Sequence, residues 1–391
     1  MAKYRIPILA FLGGLAIFFA GLWLGGHPSS LPDRLRNTFV SKNTAVRDEL
    51  IDTIETNYYK KVPRSSLDTA SLKGIVDSLN DRFSNYFTPD ETKSFNQQVA
   101  GQFEGVGISV NPGAKGLQVV SVFAGSPAAN AGIKKGDLIV KVNGQSITGP
   151  ASETASDKIK GRPGTSVTLA VVSPGQTTPR SVLIKRAKIQ VPVSQGRIVT
   201  DKGVKLGVVT LSTFSQDSHD KLRTQVDKVL HQGAKGLVLD LRGNGGGLLQ
   251  EGRLVASIFI PKGLIVSTNG RHSPEEKLNA SGGAISPKIP LIVLVDGGTA
   301  SAAEIVTGAL RDRGRATVVG EKTFGKGVFQ EIEPLSNGGA LDLVVGRWFA
   351  PNGENINGTG FQPQVPAQDN PKTPRDEALD AALNTVRAKI A

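Results

Sequence analysis

One stretch constrains the fold more than any other. In PLIVLVDGGTASAAEIVTGAL, an apolar run passes through two glycines into a helical pattern that begins near Ser301. The run reads as a buried strand and the segment after it as a helix. The same texture starts at about Gly203, with KLGVVTL, DKLRTQVDKVLHQ, GLVLDLRG and LQEGRLVASIF ahead of this stretch. ATVVGE and GALDLVVGRWFA follow it as further strands, and RDEALDAALNTVRAKI reads as a short terminal helix. Buried strands that alternate with helices argue for an α/β layer. At 391 residues the chain also exceeds one core, so two or three domains are expected.

The upstream texture differs. From about Val40 to Ala100 the pattern is helical and polar, with apolar spacing in AVRDELIDTIETNYY and LDTASLKGIVDSLN. The Pro and acidic pair of TPDE suit the start of another helical turn. Between Gly101 and Lys188, short β-branched runs separated by glycines (GVGISV, GLQVVSVF, DLIVKVNG, SVTLAVV, RSVLIKR) read as a compact, mostly β module.

Ahead of all this, Lys3 and Arg5 precede an uncharged stretch, Ile6 to Gly26, about long enough to cross a bilayer as a helix. A cleaved signal peptide and a buried core helix are the alternatives. No small-x-small cleavage site stands before His27 and the stretch has no polar face, so an uncleaved single-pass anchor is expected. With the cationic end inside, the rest of the chain lies outside the cytoplasm: periplasmic, extracellular or lumenal, and secreted if the segment is cleaved.

Charge and cysteine content narrow the chemistry. The net charge is +12, but the cations are scattered, with no basic run interleaved with aromatics and no zinc-finger or helix-turn-helix spacing. Nucleic acid is therefore not expected as a partner. With Cys 0 there is no disulfide, thiolate nucleophile or cysteine-ligated metal, so a nucleophile must be an oxygen or an amine. Ser301, at a helix N-terminus with free backbone N–H groups beside it, suits both a nucleophile and a developing oxyanion. A simple N-cap at Thr299 or Ser301 is the competing reading. The four histidines, His27, His219, His231 and His272, lie at the border of the apolar stretch, at a helix end and in polar segments, and form no Ser-His-Asp pattern. The remaining candidate base is a lysine kept neutral by burial. Lys326 in EKTFGKGVFQ has glycines on both sides and Phe324, Val328 and Phe329 as apolar company, although an ordinary surface lysine has the same local sequence.

The combination is more specific than its parts. Ser301 in GGTASAAEI, Lys326 in GEKTFGKG and Gln330 resemble the catalytic triplet of the carboxyl-terminal processing peptidases, the tail-specific serine proteases of family S41. The resemblance runs from about Phe39 to Pro366 and implies Ser301 as nucleophile, Lys326 as general base and Gln330 as its orienting partner. If Lys326 and Gln330 share a strand, their spacing of four puts them on one face. DLRGNGGG is a hallmark of the family; it implies that Gly246 or Gly247, with Gly247 preferred, supplies one oxyanion N–H and Ala302 the other. GVGISV followed by SPAANAGIKKGDLIVKVNGQSI resembles a protease-associated PDZ domain. There Gly105, Val106, Gly107 and Ile108 would receive a peptide's terminal carboxylate as the peptide adds to a sheet edge, with Val106 and Ile108 reading its last side chain.

Asp296, Ala303 and Lys160 depart from the family's common Asn, Ser and Arg. In some relatives the PDZ arginine couples tail binding to assembly of the active site, so Lys160 is a candidate sensor that lacks the bidentate fork. The implied fold is a multidomain α/β protein with ClpP/crotonase-like protease layers and an inserted, mostly β PDZ domain. The expected boundaries are 1–30 for the anchor, 31–100 for a helical segment, 101–190 for the PDZ domain, 191–370 for the protease core and 371–391 for a helical tail. Protein or peptide C-termini are the implied substrates and the membrane a partner; no metal or cofactor is implied, and homo-oligomerisation is left open. A membrane-anchored PDZ scaffold with an inactive protease fold is the rival reading, against which Ser301, Lys326 and Gln330 argue.

Overall fold

The computed structural model describes residues 14–15, 21, 42–370 and 372–390. The apolar stretch Ile6 to Gly26 lies outside the described residues, apart from Gly14, Leu15 and Gly21. Among the described residues no helix is long and apolar enough to cross a membrane. The chain forms two compact units, Met1–Tyr86 and Phe87–Ala391.

In the first unit, helices α1 (Lys42–Asn57) and α2 (Arg64–Asp77) follow one another, and Arg64 pairs with Asp52. A short strand, β1 (Asn85–Phe87), spans the junction, and α3 (Pro89–Val99) opens the second unit. Thr88 and Glu91 form a capping box at its start, with Asp90 and Glu91 favourably placed in the first turn. The helical region read as 31–100 is therefore divided, its last helix belonging to the second unit.

The PDZ module comprises β2 (Gln102–Gly105), β3 (Ile108–Gly113), β4 (Gly116–Val122), α4 (Pro127–Asn130), β5 (Leu138–Val142), β6 (Gln145–Ser146), α5 (Ala155–Ile159), β7 (Ser166–Val172), β8 (Arg180–Lys185) and β9 (Ala187–Gln190). Its main sheet runs β3-β4-β5-β7-β8, and β2 pairs with β9 as a separate antiparallel ribbon. Alternation along β7 buries Val167, Leu169 and Val171 in a core of the module's own.

The larger core contains β10 (Ser194–Asp201), β11 (Val204–Leu211), α6 (Ser218–His231), β12 (Gly236–Asp240), α7 (Leu249–Ser257), β13 (Leu264–Gly270), β14 (Glu276–Asn279), β15 (Leu291–Val295), α8 (Ala302–Asp312), β16 (Thr317–Gly320), β17 (Val328–Pro334), β18 (Ala340–Phe349), β19 (Val365–Pro366) and α9 (Glu377–Ala388). One sheet runs β10-β11-β12-β15-β16-β19, parallel throughout except at β10. Its strands read as continuous apolar runs because both faces are covered. Leu237, Leu239, Leu291, Val293 and Val318 pack in the core that contains α6, α7 and α8, while Val238, Ile292, Leu294 and Val319 pack against α9. Each fully buried side chain of this kind contributes about 1.5–3 kcal/mol. In a second, antiparallel sheet, β13 pairs with β14 and β18, and β18 with β17.

Candidate active site

Parallel strands that run side by side deliver their C-terminal loops side by side, where open α/β sheets form clefts. The loops after β11, β12 and β15 are stitched together here. Asn244 Nδ2 donates to Leu211 O over 2.8 Å, Thr299 Oγ1 to Leu241 O over 2.9 Å, and the Ala300 N–H to Asn244 O over 2.9 Å. Asp296 Oδ1 adds a further tie by accepting from the Gly243 N–H (2.9 Å) and the Gly298 N–H (3.0 Å), and its own N–H donates to Thr299 Oγ1 (3.0 Å). Asp296 thus binds the glycine-rich loop to the loop that carries Ser301.

Ser301 is the N-cap of α8, with φ 54° and ψ −119°. A non-glycine residue in this region carries backbone strain, which persists only where its surroundings hold it and which concentrates at working sites. Gly246 is one neighbour that holds it: a Cβ there would lie 2.7 Å from Ser301 Cβ and 2.9 Å from the Ala302 nitrogen. The Gly246 N–H is occupied, donating to Asn244 Oδ1 over 2.9 Å. Of the two glycines considered for an oxyanion donor, Gly246 therefore has its amide engaged by a side chain. Gly247, at φ 140°, sits against Phe214, whose oxygen would be 2.4 Å from any Cβ placed there. The Phe214 N–H donates to Gly246 O, and the Leu248 N–H to Phe214 O, so the loop is fixed on both sides of Gly247.

The strongest tie in the site comes from a residue the sequence reading passed over. Glu304 is fully buried on the first turn of α8, and four donors converge on its carboxylate. Oε2 accepts the backbone N–H groups of Ser301 (2.9 Å) and Lys326 (2.9 Å); Oε1 accepts Thr323 Oγ1 (2.6 Å) and the Gly325 N–H (2.7 Å). Burying a carboxylate is tolerable only with such pairing. One side chain thereby fixes both the Ser301 turn and the Lys326 loop. The only trace in the sequence was a Ser-x-x-Glu spacing, the mark of a capping box.

Ser301, Lys326 and Gln330 all line one cleft, with Gly246, Gly247 and Asp342. Its apolar wall includes Phe95, Val99, Leu248, Ile305, Phe329 and Trp348. Lys326 departs from expectation in one respect: it precedes β17 instead of lying on it, so the shared-strand argument for its alignment with Gln330 does not hold. It is anchored instead by its own backbone, its N–H to Glu304 and its carbonyl oxygen accepting Trp348 Nε1 over 2.8 Å. Phe324, read as apolar cover for the lysine, is 45% exposed, whereas Val328 and Phe329 do line the cleft. Of the histidines, His219 Nδ1 bonds buried Glu251 over 2.9 Å and His231 Nδ1 bonds Asp227 O over 2.7 Å, both structural contacts. Ala303, on the first turn of α8, is fully buried in the core.

In the PDZ module β3 is an edge strand, open to addition of another strand. The preceding turn, Gly105 to Ile108, is latched by Ser126, whose Oγ donates to Gly107 O and accepts the Ala129 N–H, each at 3.2 Å. The serine of SPAA therefore caps α4 and holds the turn at once. The Val106 side chain is 1% exposed and packs in the module's core, and partly buried Ile108 packs against the same core. Lys160 Nζ pairs with Asp157 of α5 over 3.1 Å, both side chains well exposed.

Residues 205–367 match the model of peptidase family S41, and residues 118–173 that of a PDZ domain. A CtpA-like serine protease of Staphylococcus saprophyticus is 33% identical over 360 residues, an alignment covering 92% of this chain and 70% of that protein. The chain belongs to peptidase family S41. A CtpA-like serine protease of Staphylococcus aureus (strain COL) is 38% identical over 339 residues, covering 86% of this S41 chain, which spans 66% of that relative's length. Among solved structures, the photosystem II D1 C-terminal processing protease is 28% identical with a TM-score of 0.50, over 89% of this chain and 98% of that one. An S41 structure from Bacteroides fragilis NCTC 9343 has a TM-score of 0.56 at 21% identity, over 87% and 97% of the two chains, and shares the fold.

Proposed function

We propose that this S41 chain is a serine endopeptidase that captures the C-terminal tails of protein substrates in its PDZ module and cleaves upstream peptide bonds with Ser301 and Lys326. The observation that carries the reading is the double hold of Glu304, which ties the Ser301 and Lys326 backbones to a single buried oxygen. Neutral Lys326 takes the proton from Ser301 Oγ as that oxygen attacks the scissile carbonyl carbon. The resulting oxyanion accepts from the Gly247 and Ala302 N–H groups, the first presented by the locked glycine loop and the second by the start of α8. As the C–N bond breaks, the Lys326 ammonium returns the proton to the leaving amine. Water then attacks the acyl-enzyme, giving its proton to Lys326, and collapse restores Ser301. Gln330 orients the lysine amine as the third member of the set. The apolar wall of the cleft suits an apolar side chain beside the scissile bond.

The same reading assigns Gly105, Val106, Gly107 and Ile108 to tail capture and places the catalytic part outside the cytoplasm, tethered or exported through Ile6 to Gly26. Exported proteins awaiting processing or degradation are then its substrates. The test is cleavage of β-casein, an unstructured protein, by the purified chain and by Ser301→Ala and Lys326→Ala. Both variants should be inactive while still binding an apolar C-terminal peptide by fluorescence anisotropy; cleavage surviving in either refutes the mechanism.

A further inference from the structure

Gln330 lies on β17 opposite Val344 of β18, and Ile332 lies opposite Asp342. Gln330 and Asp342 are therefore diagonal neighbours on one face of the ribbon. Between Phe329, opposite Gly346, and Gln330, opposite Val344, the register slips past Val345. Such a bulge re-aims the chain locally, and Val328, Phe329 and Gln330 line the cleft in succession where a regular strand would send the middle one away. Asp342, 7% exposed, lines the same cleft and accepts Gln330 Nε2 on Oδ2 over 2.9 Å.

That hydrogen bond settles which way round the amide sits. A carboxylate offers only acceptors, so the NH2 end of Gln330 belongs to Asp342 and the carbonyl oxygen is directed away from it. We propose that Asp342 is a positioning residue for the Ser301–Lys326 pair: it holds the Gln330 amide so that an acceptor, and not a second donor, is presented to the lysine amine. An amine N–H given to that oxygen leaves the nitrogen lone pair for the Ser301 proton, and the same oxygen stabilises the ammonium once it forms. A flipped amide would donate to the lone pair the Ser301 proton needs and would set donor against donor once the ammonium forms. The inference rests on the Ser301–Lys326 reading above and adds Asp342 as a residue that acts through the Gln330 amide.

The experiment is a double-mutant cycle on the full chain, with β-casein as substrate and kcat, KM and the pH profile of kcat/KM as readouts. Asp342→Ala and Gln330→Ala should each lower kcat by about tenfold or more with KM within about twofold, the scale of a lost hydrogen bond that serves a charged group. The rising limb of the profile should move to lower pH in both, because the ammonium has lost its acceptor. The double variant should fall within about twofold of Gln330→Ala alone. Asp342→Asn should recover most of the loss, since its amide oxygen still accepts. If Asp342→Ala loses its cooperative melt, Asp342→Ser takes its place in the cycle. Wild-type kcat with an unmoved profile in Asp342→Ala, multiplicative losses in the double variant, or an Asn variant no better than Ala each overturn the proposal. Activity surviving in Lys326→Ala, run alongside, refutes the Ser-Lys reading itself; activity lost there but unchanged by Asp342→Ala refutes the positioning role alone.

Discussion

The backbone of Ser301 offers a direct test of whether stability has been given up for catalysis at this turn. At φ 54° and ψ −119° a side chain of any kind costs about 1–3 kcal/mol, whereas glycine enters the region freely. Ser301→Ala keeps the strain and loses the hydroxyl; Ser301→Gly loses both. Against this relief stands glycine's larger unfolded-state entropy, about 0.5–1 kcal/mol relative to alanine. The N-cap position adds in glycine's favour, because there it falls only a few tenths of a kcal/mol below serine while alanine falls about 1 kcal/mol below. The balance makes Ser301→Gly more stable than Ser301→Ala by about 1–2 kcal/mol, with both inactive. Guanidinium unfolding of the two variants at 25 °C, compared at equal slope, reads this difference as a shift in midpoint. A glycine variant level with the alanine variant, or below it, means that the Ser301 turn is not strained and that the energetic argument for a poised nucleophile fails.

Other parts of the site make separate predictions. Glu304→Gln sets an NH2 group against donors that now meet carboxylate oxygens, and should cost about 3 kcal/mol in thermal unfolding together with most of the β-casein cleavage. Gly247→Ala forces a Cβ to within 2.4 Å of Phe214 O and displaces the amide assigned to the oxyanion, so kcat should fall by about 10²–10³-fold in the β-casein assay. The C-terminal helix should loosen in acid. Burial raises the Asp376 carboxyl, but hydrogen bonds from the Arg242 guanidinium and the Leu379 N–H outweigh it and hold the group below its ordinary value of 3.8. A depressed folded value means that the stabilisation is complete above the unfolded value and is lost as pH falls from there through the folded value. Amide exchange in α9 should therefore accelerate as pH drops below about 4, after correction for intrinsic rates, and Arg242→Ala should remove most of that pH dependence.

The parallel sheet could be read from the sequence because its strands are covered on both faces. LIVLV, GLVLD and TVVG carry their burial in consecutive letters, and the helices between them carry theirs at helical spacing. The PDZ strands were equally plain, since alternation and glycine turns are local signals. The Gly105 to Ile108 turn shows where such signals stop: the motif names the turn, but that the Val106 side chain packs into the module's core beside α4, whose Ala128 N–H bonds the Val106 carbonyl, is decided by tertiary packing.

The site was legible only where chemistry is written in a short motif. Ser301 at a strand-to-helix turn and the glycines after β12 could be placed by pattern, but the pattern did not say which glycine keeps its N–H, because Asn244 decides that through a side-chain contact with Gly246. Lys326 and Gln330 show the limit more sharply. Their spacing of four suggested one face of one strand, yet Lys326 lies outside β17 and the register slips just before Gln330. A bulge is set by what the partner strand and the packing beneath it allow, and Val345, the extra residue, looks no different in sequence from Val344. On the proposed reading, the alignment of lysine with glutamine rests not on their separation along the chain but on two carboxylates distant in sequence. Glu304 grips the lysine backbone from α8, and Asp342 grips the glutamine amide from β18. Each removes a rotation that the spacing alone leaves free. A Ser-Lys pair has no imidazole to define a proton's direction, so on this reading the orientation of its base resides in those two acidic side chains.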